Sequence, residues 1–418
     1  MIPDSRELAD FAVSGIARCY RRVSEAGWNA VQPKTSDADI DALRLMWALS
    51  NDVASIARRV AENPRALAGG MTTETIVETG RISGSVNARS TLLEQLVTSD
   101  PTRYVVNVPA ISHATHRNHV LAWVLREAER LALSLVRQPN LTPEFEWIHS
   151  RAALLELALR TKVLRDILHS PLGRIRPNAA ALRDCKKSLN SMYRTAARAF
   201  ETLAAVEMQD AEAVSRVISD TLVSRLENWQ KLELCAVVAA AEALQLATGK
   251  PVIWKNSFTN KPAVQVGDFL VTWQYTVPAR DEAQLDPSEK LVRTLLSALG
   301  ATVGASRADV TVRHQELDVS HIECKWFESP GSVASAIVDA TEQLVRYSRD
   351  SRPTSITEAE TMLRDCIIVC ASTETFASTV DGHSGINFLD FRGLADGALA
   401  DWATRLVATT GSATVATA

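Results

Sequence analysis

Between Pro287 and Cys370 the chain repeatedly changes its hydrophobic period, and the order of those changes constrains the fold more than any other stretch. A helical pattern opens at Pro287-Ser288-Glu289-Lys290 and runs through Leu291, Val292, Leu295, Leu296 and Leu299 until Gly300 ends it, with Asp286 or Ser288 as cap. Ala308–Arg313 (ADVTVR) reads as a short strand, His314–Ser320 as a polar turn, and Ile322–Trp326 (IECKW) as a second, antiparallel strand. After Gly331-Ser332, the residues Val333, Ile337, Ala340, Thr341, Leu344 and Val345 recur at helical spacing. Cys366–Cys370 (CIIVC) is apolar without alternation, which suits a buried strand. Helix, strand, strand, helix, strand predicts a sheet flanked by helices.

The same stretch carries the chemistry. Side chains alternate faces along a strand, so Glu323 and Lys325 point one way and Cys324 the other. The neighbouring strand brings Asp309 beside Glu323. Two adjacent carboxylates suit a hard cation: magnesium prefers oxygen ligands, retains several waters and needs no full protein cage. Such an ion polarises a phosphate and lowers the pKa of an attacking water. Lys325 would add positive charge where negative charge develops. Gln343 and Tyr347, four apart on the following helix, share a face that can look back at the hairpin. The alternative is a solvated strand pair, because acid-x-lysine triplets arise by chance in a chain with 49 acidic residues. Asp184-Cys185-Lys186 has that spacing inside a helical pattern, where residues two apart diverge.

This order of elements, with Glu-x-Lys on the second strand, resembles the PD-(D/E)xK nuclease superfamily, and Gln-x-x-x-Tyr on the next helix is similar to its RecB-like branch. The resemblance implies Asp309 and Glu323 as ligands of Mg²⁺ or Mn²⁺, Lys325 as catalytic lysine, and Gln343 and Tyr347 as auxiliary residues. Glu289 matches the acidic residue that some members carry on the first helix. Ala308 stands where the name-giving proline would be.

The 418 residues suffice for two or three domains. A net charge of −4 announces no global field for nucleic acid, so any DNA contact must come from a local patch. The N-terminus lacks a basic region followed by an apolar run, and Cys235–Ala247, interrupted by Glu242, is too short for a bilayer, so a cytoplasmic protein with no membrane partner is expected. Six cysteines without a Cys-x-x-Cys pair argue against zinc ribbons and disulfide frameworks.

Upstream, two helical patterns (Leu8–Val23 and Ile40–Val60) precede apparent strands at Thr75–Arg81 and Arg103–Ala110, with Gly80 and Gly84 as turn or bulge residues. From Val120 to about Ala247 the pattern is almost wholly helical, including Ala181–Met208 and Ala213–Leu246. The His113, His116, His119 spacing favours a polar loop and helix cap over a zinc site. Val252–Phe258 and Phe269–Tyr275 read as a hairpin covering the core rather than a DNA-stacking surface.

Gly80-Arg81-Ile82-Ser83-Gly84 with Arg89-Ser90-Thr91-Leu92, Tyr104-Val105-Val106, Asn118-His119-Val120-Leu121 and Val124-Leu125-Arg126 resembles McrC-type proteins. His119 replaces their usual arginine. The stretch Thr221–Leu244, with Trp229 and Glu233, is similar to the helix that leads into the nuclease of that family. The resemblance implies a restriction or defence nuclease working with a separate AAA+ NTPase or other defence subunit; this sequence has no Gly-x-x-x-x-Gly-Lys-Ser/Thr of its own.

The expected architecture is α/β plus all-α: a mixed α/β module at 1–119, a helical scaffold at 120–248, a restriction-endonuclease-like domain with a mixed central sheet at 249–410, and a disordered tail at 411–418. The expected activity is metal-dependent DNA hydrolysis. A catalytically silent, nuclease-fold adaptor that binds DNA or a motor is the alternative. A homodimer is open, since single-site cutters pair to break two strands.

Overall fold

The computed structural model describes residues 3–20, 37–137, 146–254, 264–277, 287–298, 307–315, 317–327, 333–351, 356–371 and 386–416. The chain is mixed α/β, with one seven-stranded and one three-stranded sheet. It divides into two compact units that cut across the linear order: 1–46, 138–146 and 205–418 form one, 47–137 and 147–204 the other. This grouping differs from the three-part division expected from sequence, which followed local periodicity along the chain.

In the first unit, α1 (Ser5–Tyr20) is followed by α2 (Asp37–Leu49), which runs across the boundary. In the second unit, α3 (Asn51–Glu62) leads into β1 (Gly70–Thr79), β2 (Ser85–Val86), α4 (Ala88–Thr98) and β3 (Arg103–Ser112). The sheet order is β1-β3-β2, and β1 pairs antiparallel with β3 from Gly70↔Ser112 to Thr79↔Arg103. Gly84 is required here: a Cβ would lie 2.3 Å from the Asn107 carbonyl oxygen. Helices α5 (His116–Val136), α6 (Trp147–Leu159), α7 (Lys162–His169), α8 (Ala179–Lys186) and α9 (Ser191–Glu207) complete this unit, apart from the last residues of α9.

The first unit resumes with α10 (Ala211–Ile218) and α11 (Asn228–Thr248). The single helical pattern expected over Ala213–Leu246 is broken: a π turn at Ser219–Val223 ends α10, and a capping box between Glu227 and Gln230 starts α11. Helix α11 is buried almost all round, as befits an internal helix. Its Lys231 donates to Ser5 Oγ at 2.7 Å.

Seven strands follow: β4 (Val252–Trp254), β5 (Val264–Val266), β6 (Phe269–Thr276), β7 (Arg307–His314), β8 (Leu317–Trp326), β9 (Ile367–Ala371) and β10 (Asn387–Asp390). They lie in the order β10-β9-β8-β7-β6-β5-β4, antiparallel from β4 to β8 and parallel from β8 to β10. The hairpin expected of Val252–Phe258 with Phe269–Tyr275 is not formed, because β5 lies between Val252–Trp254 and Phe269–Tyr275; residues 255–258 lie outside the described residues. The polar turn expected over His314–Ser320 is much shorter. Leu317–Ser320 already belongs to β8, because Asp318 accepts from Arg313 Nε at 3.0 Å and Ser320 Oγ donates to the Asp365 carbonyl at 2.6 Å.

The helices of the sheet region are α12 (Pro287–Ala298), α13 (Val333–Ser351), α14 (Ile356–Leu363), α15 (Phe391–Ala395) and α16 (Ala400–Ala416). Helix α11 crosses β4 to β8, whereas α13 packs on β8 and β9. All five residues of β9 are buried. Ile368 and Cys370 join the cluster of Ala340, Leu344 and Tyr347 from α13, and alternation turns Ile367 and Val369 to the opposite face. The tail expected to be disordered from 411 instead continues α16 to Ala416, in keeping with its alanine-rich composition.

Candidate active site

The site forms where the pairing of β6, β7 and β8 loosens. The β7–β8 ladder begins at Val310↔Ile322; beyond it, Asp309 Oδ2 accepts the Cys324 N–H at 2.7 Å. On the other side of β7, the pairs Trp273↔Val310 and Tyr275↔Ala308 bracket Gln274, whose φ is +53°. A left-handed conformation costs a non-glycine residue about 1–2 kcal/mol. The Gln274 side chain offsets it by donating from Nε2 to Glu233 Oε2 at 3.0 Å and accepting at Oε1 from Arg307. Trp273 Nε1 donates to the same Glu233 oxygen at 2.7 Å. Glu233, on α11, therefore reaches the site from outside the helix-strand-strand-helix core.

Alternation along β8 places His321, Glu323 and Lys325 on one face, and α13 meets that face. An ammonium has three donors, and Lys325 Nζ uses them on Glu323 Oε1 at 2.9 Å, Asp339 Oδ2 at 2.9 Å and Gln343 Oε1 at 2.8 Å. Gln343 Nε2 also donates to Asp339 Oδ2 at 3.2 Å. Glu323 is only 3% exposed, and its second oxygen, Oε2, is buried without a hydrogen-bond partner. An unmet carboxylate oxygen is costly in such a place and marks where a further ligand would bind.

Burial raises the pKa of Glu233, Asp309 and Glu323, and their mutual repulsion raises Glu233 and Glu323 further; Glu323 is pushed up to about 8. Asp309 and Glu233 are also joined by a side-chain hydrogen bond, which two carboxyl groups can make only by sharing a proton. Burial works against the Lys325 charge, but Glu323 and Asp339 hold the ammonium above its ordinary value. Closely spaced, poorly solvated carboxylates with one unmet oxygen fit a divalent cation. Among the described residues no three His, Cys, Asp or Glu side chains form a ready ligand set. An ion held by Asp309 and Glu323 would thus keep water in its shell, as Mg²⁺ commonly does.

The raised Glu323 has a stability consequence. The folded state binds this proton more tightly than the unfolded state, so the site's contribution is complete below about pH 4.5, the ordinary value, and is lost as pH rises to about 8. In EDTA, Tm should therefore fall from pH 5 to pH 9, less steeply in Glu323→Gln. Added Mg²⁺ should restore Tm most at the alkaline end. A Glu323→Gln profile identical to wild type would contradict the assignment.

Asp309, Glu323, Lys325 and Gln343 thus converge. Tyr347 is on the same stripe of α13 but is buried; its hydroxyl donates to the Arg307 carbonyl at 2.7 Å and its ring stands edge-on to His321. It holds the start of β7 in place. Behind it, His321 Nδ1 meets Thr311 Oγ1 at 2.9 Å and Nε2 meets Ser351 Oγ at 3.2 Å, while Ser351 Oγ donates to Asp318 Oδ2 at 2.8 Å. Glu289 is on α12, and its side chain lies outside the described residues. Two members of the site were missed. Asp339 was readable as the preceding i−4 position of the Gln343, Tyr347 stripe; Glu233 stood out only within the McrC-like helix and was assigned no role in the site, because α11 reaches the strands only through tertiary packing.

The histidine run serves structure: α5 starts at His116 with Thr115 as cap, His113 Nδ1 is 3.2 Å from the Ala68 carbonyl, and His119 Nε2 is 2.9 Å from the Ile175 carbonyl. None of the six cysteines forms a disulfide, and four of them are buried.

No family model matches the sequence, and no curated protein matches it. Among solved structures, the chain is similar to one in the refined half-complex from the tetradecameric assembly of Thermococcus gammatolerans McrB AAA+ hexamers with bound McrC. The match covers 98% of this chain and 78% of that chain, at 12% identity and a TM-score of 0.28. A likeness at that score carries no argument about this chain. Among the described residues no helix is long and apolar enough to cross a membrane.

Proposed function

We propose that the chain is a metal-dependent DNA endonuclease subunit of a prokaryotic defence or restriction system, related to McrC-type proteins. The observation that carries this reading is the convergence of Asp309, Glu323, Lys325 and Gln343 around a carboxylate oxygen left without a partner. Asp309 and Glu323 would hold Mg²⁺ or Mn²⁺, which when bound supplies a polarised phosphate and an acidified water. Lys325, fixed by Gln343 and Asp339, places its charge where the phosphate gains negative charge. Asp339, with a side chain 58% exposed, is the partner that Lys325 can release most readily to an incoming phosphate. The proton shared by Glu233 and Asp309 would be released when a cation binds. A separate AAA+ NTPase as partner rests on the McrC-like motifs of the sequence.

The silent adaptor is favoured by one observation: all three donors of Lys325 are already satisfied within the protein. Incubation of supercoiled plasmid and linear DNA with Mg²⁺, Mn²⁺ or EDTA decides between them, alone and with lysate from cells carrying the neighbouring genes. The nuclease reading expects nicking or linearisation with metal and none with EDTA. Intact DNA under every condition would support the adaptor.

A further inference from the structure

We infer that the second unit carries a nucleic-acid backbone-binding surface on α7, α8 and the segment between them. Residues 162–187 hold seven Lys or Arg and two Asp in a chain of net charge −4, so positive charge that the whole molecule lacks is concentrated here. Helix α7 buries Leu164 and Ile167 and exposes Lys162 and Arg165; α8 buries Ala181 and Cys185 and exposes Arg183, Lys186 and Lys187. Both helices, and the turn Pro171–Arg174 between them, pack on α5.

The connecting segment is held from below, since Arg126 Nη1 donates to the Gly173 carbonyl at 2.5 Å and His119 Nε2 lies 2.9 Å from the Ile175 carbonyl. Arg174 and Arg176 are exposed on this fixed frame, Arg176 over the rings of Trp123 and Phe200 at 5.5 and 5.2 Å. Of the two acids, Asp184 is already neutralised by Arg117 through bonds of 2.8 and 3.0 Å, with His116 and Lys187 also in electrostatic range.

The contrast within the same unit is informative. Arg103, Arg130 and Arg198 pair with Glu94, Glu127 and Asp52, and Lys186 of α8 pairs with Glu201, whereas among the described residues Lys162, Arg165, Arg174 and Arg183 form no ion pair. Four unpaired cations on a braced surface match a regularly charged polyanion, and each phosphate neutralised releases counterions. The choice of nucleic acid over an acidic protein rests on the phosphodiesterase reading of the Glu323 site.

The test is binding of a fluorescent 20-bp duplex (~20 bp, long enough to span several phosphates) to the full chain in EDTA, where cleavage plays no part. A salt series compares wild type with Arg165→Glu/Arg174→Glu/Arg183→Glu. Wild-type affinity should fall with salt at a log–log slope of about −3 to −4, and the triple variant should lose roughly 30-fold in affinity and about three in slope. Unchanged Tm and far-UV circular dichroism would show that the variant is folded, as expected for exposed positions. Equal binding by both proteins, no binding by wild type, or tighter capture of polyglutamate than of duplex would each overturn the proposal. The two readings separate cleanly. A wild type that binds through these arginines but never cuts leaves the surface and removes the nuclease; cutting with binding unaltered in the variant does the reverse.

Discussion

Lys325→Ala should abolish cleavage, lowering the rate by at least about 100-fold, the usual cost of losing one charge aimed at a developing anion. It should also lower Tm, because Lys325 is not a surface lysine: its side chain is 17% exposed and ties Glu323 to Asp339 and Gln343. Were Glu323 to stay ionised beside an empty cavity, breaking such a pair would cost about 3–5 kcal/mol. With its pKa already near 8, Glu323 instead takes a proton at neutral pH, which limits the loss to about 1–3 kcal/mol of unmade hydrogen bonds. Glu323→Gln should separate the two effects. The amide keeps an acceptor for Lys325 and removes the penalty of a buried charge, so at pH 8 in EDTA this variant should melt no lower than wild type while cutting nothing. Plasmid nicking and thermal melts on the same preparations check both. Full activity in either variant would falsify the nuclease assignment.

Glu233→Gln should fold normally and lose about 100-fold in cleavage. The amide oxygen can still accept from Trp273 and Gln274, and its NH₂ can donate permanently to Asp309, but it can never release a proton to make room for a cation. Glu233→Ala should behave differently. It strips the acceptor from Trp273 Nε1 and Gln274 Nε2 and leaves Gln274 in its left-handed conformation with only Arg307 to hold it, a loss of about 2–4 kcal/mol. Melting curves for both variants, with cleavage rates for the Gln form across a Mg²⁺ titration, distinguish these roles. A Glu233→Gln enzyme with wild-type rate and metal dependence would confine Glu233 to holding Gln274.

How far the site could be read in advance varied with the range of the interaction. Glu323 and Lys325 were placed together by the two-residue period of a strand, and Gln343 by the four-residue stripe of a helix. The same stripe contains Asp339, which was overlooked because a polar residue on an amphipathic helix ordinarily faces water. The length of the β7–β8 turn was misjudged because Asp318 and Ser320 look like turn residues; their partners, Arg313 and the Asp365 carbonyl, turn them into strand residues. Likewise, the π turn at Ser219–Val223 ends one helix and the Glu227–Gln230 capping box begins another inside an unbroken apolar pattern.

By itself, the sequence determined the order of elements, the unbroken apolar character of β9 and the shared face of Glu323 and Lys325, because each follows from the repeat of a single helix or strand. Only the tertiary structure decided the rest. It brought α11 across the sheet so that Glu233 meets Asp309, it buried Glu323 with one oxygen unmet, and it grouped α1 and α11 with strands that lie far away in the chain. Those outcomes depend on which surfaces exclude water together, and the burial that raises these carboxylates exists only once distant segments have packed.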